Sequence, residues 1–346
     1  PAMTRTMFLL AAFAGIAILL PVPASSAEKT FERSFTVSSG GELVVTTDVG
    51  DVTVTADGGS TVRVLVKMKG KESDLAKIAL DARETGGGVE VTGKVGKSGW
   101  KFWENTNAEL RFTVAVPKEY NVRLSTAGGD LGVSGLTGRL EAQTSGGDVR
   151  VASVEGRMNV ETSGGDITVD KSAGDLIAQT SGGDIRIGGA KGRLELSTSG
   201  GDIQARDVDG RITAETSGGN IVISATGENQ GIAAETSGGN IDISIGKGTG
   251  ANIEAVTLGG EVSCDLPVTV QGKLSEGAIR GTINGGGNPI RARTSGGSRC
   301  SRSSSSARRS TSRRSATSSR SRTDTRWPPR SSTIPRCAPR RSRRRW

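Results

Sequence analysis

Thr144-Ser145-Gly146-Gly147-Asp148-Val149 is the stretch from which the fold of this chain can be read. The same pattern, with Ile at its last position, starts again at Thr162, Thr180 and Thr198, at a constant step of 18 residues. Copies with Asn in place of Asp start at Thr216 and Thr236, and divergent copies start at Thr126, Thr257 and Thr294. A fixed short period of this kind indicates a repeat architecture in which each unit stacks on the next.

Each repeat reads as two short strands separated by two turns. In the repeat from Gly138 to Glu155, Leu140, Ala142 and Thr144 alternate with polar residues, and two valines flank Arg150. Alternation with a period of two predicts strands with one buried face. Ser-Gly-Gly forms one turn and the Gly at 138 forms the other, since glycine fits turn positions that require a positive φ.

Two strands of this length cannot bury their own apolar face, so neighbouring repeats must cover it. The sequence therefore predicts an all-β fold, a β-helix-like β-solenoid of about ten two-strand coils spaced about 4.8 Å apart. Residues 121–297 contain no Phe, Trp or Tyr. That composition predicts a narrow core of Leu, Ile, Val, Ala and Thr.

The chain divides into four parts by composition. Residues 1–27 are predicted to be a signal peptide, because Arg5 precedes a 14-residue apolar run and small residues end at Ala27; the alternative is an uncleaved anchor. Residues 28–120 are predicted to be an irregular β N-terminal cap or the first coils, because residues 47–52 resemble a degenerate copy of the repeat. Residues 121–298 are predicted to be the solenoid and residues 299–346 a disordered tail.

Two features of the cap region have alternative interpretations. Ser73–Ala82 fits either a short helix or a strand through Ile78 and Leu80. The aromatic cluster from Trp100 to Trp103 is either a hairpin packed over the core of the cap, which we favour because aromatic rings supply large buried area, or a loop that touches glycans or membrane.

The tail from 299 to 346 holds 16 Arg and one acidic residue, whereas the chain as a whole has a net charge of +9. It begins directly after Thr294-Ser-Gly-Gly-Ser298, where another apolar strand is due. The tail is interpreted either as a basic arm for an acidic partner or as an out-of-frame translation, which the abrupt start favours. Cys300 and Cys337 fall in this tail, so Cys264 alone is assigned to the fold and no intramolecular disulfide is expected.

The chain contains no His, which excludes Ser-His-Asp and Cys-His nucleophile systems and His-ligated zinc. Paired carboxylates, as in some β-helices that cleave carbohydrates, remain open. Such sites occur on irregular loops, and the turns here are short and uniform. We therefore predict that the chain is not an enzyme, with no catalytic residues and no cofactor.

A column of carboxylates is the sharpest candidate site: Asp130, Asp148, Asp166, Asp184 and Asp202, continued by Asn220 and Asn240. Stacked at coil spacing, these charges repel one another unless they are compensated. One solution is Asx-type capping of turn N–H groups, which the replacement of Asp by Asn favours; the other is bound Ca²⁺.

Two further columns follow the same period. The Thr column from Thr144 to Thr236 predicts an inward or edge-facing ladder of hydroxyl groups. The Arg column, formed by Arg139, Arg157, Arg193 and Arg211, predicts a solvated, salt-bridged face with little net stabilisation from each pair.

The chain resembles a family of exported bacterial proteins with a domain of unknown function labelled "putative adhesin". The resemblance is carried by the Thr-Ser-Gly-Gly-Asp-Ile repeats, Val114-Ala-Val-Pro117 and Gly50-Asp-Val-Thr-Val54, and it covers roughly residues 30–298. It implies the solenoid fold and an adhesive role, and it implies no catalytic residues.

Taken together, these features predict a non-enzymatic exported protein of the cell envelope or surface, with an adhesive or scaffolding role. Expected partners are cell-surface glycans or other envelope proteins, with no nucleic acid and no transmembrane segment after signal cleavage. The expected location is the periplasm, the outer surface or the medium. The alternatives are a polysaccharide-active β-helix enzyme, which requires an acidic groove lined from three neighbouring coils, and a calcium-stabilised structural module.

Overall fold

The computed structural model describes residues 27–96, 108–270 and 277–302. The elements that precede the regular repeats are β1 Ala27–Thr36, β2 Glu42–Thr47, β3 Asp51–Ala56, β4 Thr61–Gly70, α1 Glu72–Leu75, β5 Ile78–Thr85, β6 Gly88–Val95 and β7 Glu109–Val116. The strands of the regular repeats are β8 Asn121–Thr126, β9 Leu131–Ser134, β10 Leu136–Thr137, β11 Leu140–Thr144, β12 Val149–Glu155, β13 Met158–Thr162, β14 Ile167–Ala173, β15 Leu176–Gln179, β16 Ile185–Ile187, β17 Ala190–Lys191, β18 Leu194–Thr198, β19 Ile203–Asp209, β20 Ile212–Thr216, β21 Ile221–Ala225, β22 Ile232–Thr236 and β23 Ile241–Ile245. The last strands are β24 Ala251–Thr257, β25 Val262–Cys264, β26 Thr269–Val270, β27 Ala278–Ile283, β28 Pro289–Thr294 and β29 Ser298–Arg302.

The strands form two long sheets, of 15 and 14 strands, that face each other across the core. In the regular region the first strand of each coil joins the 14-stranded sheet and the second joins the 15-stranded sheet. Neighbours are parallel, and Leu140 pairs with Met158 one period later. This arrangement confirms the predicted all-β solenoid.

The core is a narrow aliphatic column, as the composition predicts. In one coil Leu140, Ala142, Val149 and Val151 are buried, and the equivalent positions of neighbouring coils are buried as well. After Val151 two successive residues face solvent, which turns the second strand so that Val154 also points inward. Strands β14 and β19 repeat this step, so these coils bury side chains from three directions with two strands.

The N-terminal region contains both of the predicted alternatives, a cap and the first coils of the solenoid. Strands β2 and β3, within the predicted cap, stack in parallel on β8 and β9. Strands β6 and β7 stack on the other side of the same coil, also in parallel. Among the described strands that precede the regular repeats, the antiparallel pairs are β1 with β4, β4 with β7 and β5 with β6, so the antiparallel cap is smaller than residues 28–120. A parallel edge is covered in this way because an exposed edge would invite further pairing.

The two ambiguous features of this region have different outcomes. Both alternatives for Ser73–Ala82 are partly correct, because α1 ends at Leu75 and β5 begins at Ile78. Trp100–Trp103 lies outside the described residues. Phe112 and Tyr120 are buried in the core, so large rings do pack at this end.

At the C-terminal end the chain returns into its own stack. Strands β28 and β29 lie between the coil of β22 and β23 and the coil of β24 and β25. Strand β29 starts at Ser298 and continues to Arg302, so residues 299–302 belong to the fold rather than to the tail. Parallel neighbours on both sides, β23 and β25, supply the backbone partners that compensate for its polar sequence. Residues 303–346 lie outside the described residues.

The predicted signal segment is also outside this range, except that Ala27 begins β1. Within the described ranges no helix has the length and apolar character needed to cross a bilayer.

Candidate functional surface

The second glycine of the Ser-Gly-Gly turns from Gly147 to Gly239 is required by close stacking. A Cβ placed on Gly165 would lie 2.0 Å from the carbonyl oxygen of Gly147, and the same distance recurs at Gly183 and Gly201. These glycines do not have positive φ, whereas Gly156 and Gly174, in the other turn, do. The prediction that Ser-Gly-Gly needs glycine for a positive φ was therefore wrong. The turn needs glycine because a side chain would collide with the preceding coil.

The Thr column lies inside the coil, where each hydroxyl makes two hydrogen bonds. The Thr162 Oγ1 donates to the carbonyl oxygen of Gly147 (2.9 Å) and accepts from the backbone N–H of Gly165 (3.3 Å). Thr180 and Thr198 repeat both contacts. Each threonine thus closes its own turn and ties it to the preceding coil, which confirms the inward hydroxyl ladder.

The Asp column is a continuous ladder of side-chain to backbone hydrogen bonds. The N–H of Asp166 donates to Asp148 Oδ1 (2.9 Å), and the N–H of Asp184 donates to Asp166 Oδ1 (2.8 Å). The ladder begins at Asp51 Oδ1 and ends at Asn240 Oδ1, which accepts from the N–H of Gly297. The side chains cap turn N–H groups, but each one caps the turn of the next coil in the stack.

Two arginines compensate part of the charge of this ladder. Arg150 contacts Asp148 (2.7 Å) and Asp130 (3.5 Å), and Arg186 contacts Asp184 (2.5 Å) and Asp166 (2.8 Å). The pKa of Asp166 lies below its usual value, first because its carboxylate accepts the backbone N–H of Asp184 and second because it is hydrogen-bonded to Arg186. The carboxylate is therefore stabilised in its charged form by protein donors.

This arrangement bears on the calcium alternative for Asp130, Asp148, Asp166, Asp184 and Asp202. Ca²⁺ takes about six to eight oxygen ligands. In each of these five carboxylates one oxygen already accepts a backbone N–H. Over the described ranges, no group of three or more His, Cys, Asp or Glu side chains is placed to hold a metal ion.

The outward side chains of the 14-stranded sheet form a long acidic face. We define this acidic face by the outward residues of β11, β13, β15, β18, β20 and β22, which are Glu141, Gln143, Asn159, Glu161, Ile177, Gln179, Glu195, Ser197, Thr213, Glu215, Ala233 and Glu235. These twelve positions carry five Glu and no basic residue. Arg123 precedes the face on β8, and Arg291 and Arg293 follow it on β28.

Part of this face is arranged against its own electrostatics. Glu215 and Glu235 lie directly opposite each other on β20 and β22, although Glu235 also has Arg293 opposite it on β28. Both are exposed, and like charges in that position destabilise a sheet. Elsewhere on the face Gln143 donates to Glu161 (2.9 Å). Local choices that oppose stability are expected at functional sites, so the face is the leading candidate surface.

The Arg column lies along the edge of the acidic face, at the turns that precede β11, β13, β18 and β20. Arg157 pairs with Asp175 across one coil, at 3.8 Å. The side chains of both residues are at least half exposed, and such pairs contribute little to stability.

One groove is lined by residues from three neighbouring coils, as the carbohydrate-cleaving alternative requires. It has a volume of about 280 Å³ and is lined from three neighbouring strands, with Asp242 on β23, Arg299 on β29 and Ser263 on β25, beside Glu261. Asp242 and Arg299 are directly paired. The groove holds two carboxylates, Asp242 and Glu261, together with the guanidinium of Arg299, whereas a glycosidase needs two carboxyl groups that face each other across the substrate as acid and base. Arg299 belongs to the segment that was assigned to the tail from the sequence.

Sequence reasoning missed two of these features: the coil-to-coil direction of the Asp ladder and the participation of residues 299–302. Both depend on contacts between coils, which no local pattern reports. The sequence did predict the long regular face, with its outward Glu and Gln, as the working surface, but the register was needed to show which of these residues lie side by side.

Comparison with known proteins gives one family match and several similar folds. A family model described as Toastrack DUF4097 matches residues 41–298. A search of the curated proteins found none that matches.

Among solved structures, a "putative adhesin" from Bacteroides fragilis NCTC 9343 is 16% identical with a TM-score of 0.41, over 80% of this chain and 97% of that chain. A "putative adhesin" from Parabacteroides distasonis ATCC 8503 is 12% identical with a TM-score of 0.45, over 79% and 97%. A "putative cell adhesion protein" from Clostridium sporogenes ATCC 15579 is 11% identical with a TM-score of 0.24, over 80% and 100%.

Proposed function

The chain belongs to the Toastrack DUF4097 family, and from that premise we propose that it is a non-enzymatic exported protein of the cell envelope or surface that adheres to, or scaffolds, other envelope components. The observation that carries the proposal is the acidic face, on which carboxylate, amide and hydroxyl groups occupy ten of twelve outward positions in register over six coils. The resemblance to exported proteins and the predicted signal segment support export.

The chemistry of the face fits a partner that is rich in hydroxyl or cationic groups. Glu and Gln side chains accept and donate hydrogen bonds at regular spacing, about 4.8 Å from coil to coil. Repeated weak contacts of this kind add up when both partners are extended. Cell-surface glycans and basic envelope proteins both present such groups at many positions.

The first experiment locates the protein. Intact cells are treated with protease, and the released peptides from residues 28–298 are identified by mass spectrometry. Release from intact cells is expected for a surface protein. Protection until the envelope is opened would place the chain in the periplasm and overturn surface adhesion, leaving an internal scaffold.

The second experiment tests the face itself. The triple variant Glu161→Gln, Glu215→Gln and Glu235→Gln removes three charges and keeps the shape of the side chains. Its binding to whole cells and to glycan arrays is compared with that of the unchanged protein. A control variant, Lys171→Ala with Lys191→Ala, alters exposed residues on the 15-stranded sheet. Equal binding by the triple variant and the unchanged protein would exclude the acidic face as the working surface.

A further inference from the structure

Two cysteines that are far apart in sequence lie opposite each other at the C-terminal end of the solenoid. Cys264 on β25 and Cys300 on β29 are directly paired in parallel register. Strands of a sheet lie about 4.8 Å apart, and disulfides join Cα atoms about 4.4–6.8 Å apart. The expectation that the fold holds a single cysteine was therefore wrong, because Cys300 belongs to the inserted strand.

The two thiols share an apolar environment. Both line a small cavity together with Ile243, Ile253 and Val262. Cys300 is buried and Cys264 is half-buried. The interaction with Cys300 lowers the pKa of Cys264 to about 7, and the interaction with Cys264, together with burial, raises the pKa of Cys300. Cys264 is thus both the more accessible thiol and the one that loses its proton first, and thiolates are the reactive species.

We propose that Cys264 and Cys300 form a disulfide that fixes the inserted strand β29 to the outer strand β25. The oxidant is a disulfide, either of a protein or of a small thiol such as glutathione. The Cys264 thiolate attacks one sulfur of that disulfide, and the other sulfur leaves as a thiol. Cys300 loses its proton and attacks the Cys264 sulfur of the mixed disulfide, which releases the second thiol. Two thiols of the chain are oxidised, and one external disulfide is reduced.

The position of the bond matches a weak point of the fold. Strand β29 presents Ser298 and Cys300 where its neighbour β23 presents Ile241 and Ile243. The hydroxyl of Ser298 is buried, and no hydrogen-bond partner is found for it among the described residues. A covalent link at Cys300 holds this strand in place although its apolar packing is poor, and it restricts the unfolded chain between 264 and 300.

The test uses the full chain with Cys337→Ser, so that only the two proposed partners remain. The protein is equilibrated with excess oxidised glutathione, free thiols are blocked, and a non-reducing tryptic digest is analysed by mass spectrometry. The expected result is a linked peptide pair containing Cys264 and Cys300 from monomeric protein, lighter by two hydrogens than the separate peptides. The urea midpoint is expected to be higher for the oxidised than for the reduced protein.

A matched control tests whether the oxidant can link two cysteines placed opposite each other on neighbouring strands at the C-terminal end of the solenoid. Ser244 and Ser301 face each other on β23 and β29 with 2.8 Å between their oxygens. The variant Ser244→Cys with Ser301→Cys, in a background in which the three natural cysteines are Ser, should form a link under the same conditions.

Three results would overturn the proposal. Both natural thiols could remain fully alkylated while the control pair links. Cys264 could carry glutathione with Cys300 still free, which would mean that the second step does not occur. The link could also form only between different chains, which would show exchange of β29 between molecules instead of a bond within one.

Discussion

Replacing Gly165 by Ala should separate two coils of the solenoid. The added Cβ lies 2.0 Å from the carbonyl oxygen of Gly147, and contacts below 3.0 Å are essentially never observed. The turn must therefore move by about 1 Å. The obstacle is backbone on the neighbouring coil, so no side-chain rotation relieves it.

The magnitude follows from the hydrogen bonds that cross this junction. They join Thr162 Oγ1 to Gly147 O (2.9 Å), Asp166 N to Asp148 Oδ1 (2.9 Å) and Gly164 N to Ser145 O (3.0 Å). A displacement of about 1 Å takes all three beyond hydrogen-bond range. At about 1 kcal/mol for each bond, the free energy of unfolding should fall by about 3 kcal/mol. For a domain of this size that loss corresponds to a melting temperature lower by about 6–12 °C.

The assay is urea unfolding followed by far-UV circular dichroism, with Gly164→Ala as the matched control. A Cβ on Gly164 meets its nearest neighbour, the Ser145 carbonyl oxygen, at 3.7 Å, which is an ordinary contact. Gly164 does not have positive φ, so Ala is tolerated there and the expected change is within about 0.5 kcal/mol. If the two variants unfold at the same urea concentration, close stacking is not the reason for the second glycine.

Three further changes probe other parts of the same coils. Thr162→Val removes the hydroxyl that satisfies the carbonyl of Gly147 and the N–H of Gly165, so it should lower the free energy of unfolding by about 2–4 kcal/mol, whereas Thr162→Ser should lose less than half of that; urea titration measures both. The pKa of Asp166 is below its usual value of 3.8 in the folded chain, so the ionised carboxylate adds to the free energy of unfolding above that pH, and this contribution is lost as the pH falls further. The urea midpoint should therefore fall more steeply between about pH 5 and pH 2 for the unchanged protein than for Asp166→Asn, and equal slopes would contradict this. Ser298→Val removes a buried hydroxyl without a described partner and adds packing against Ile241, so thermal unfolding should show a gain of about 1–2 kcal/mol, and a loss would mean that the hydroxyl is satisfied.

Local pattern was enough to predict the interior of a regular coil. Leu140, Ala142 and Thr144 are inward because alternation along a strand is decided by adjacent residues. The aliphatic core and the buried Thr ladder follow from the same alternation. The candidate surface was predicted less well, since the outward Glu and Gln positions became a face only when the register placed them side by side.

The sequence predicted the wrong physical reason for two residue types that recur in each repeat. Ser-Gly-Gly predicted positive φ, but Gly165 and Gly183 are required by the carbonyl oxygens of the preceding coil. The Asp side chains were expected to cap their own turns, and Asp148 instead accepts from the N–H of Asp166. Both errors concern a partner one coil away, which lies 18 residues distant in the chain.

The sequence by itself determined the coil: its length, its two strands, its turns and its inward residues, because each depends on contacts within one period. Only the tertiary structure decided which coils are neighbours at the two ends. Strands β22, β24 and β28 share the inward pattern Ile, Ala, Thr, which starts at Ile232, Ile253 and Ile290, so any of them can stack on another by packing alone. The chain places Ile290 between the other two, and that order brings Cys300 opposite Cys264. Several stacking orders offer nearly equivalent long-range contacts. The segments that connect the strands at the two ends determine which of these orders the chain adopts.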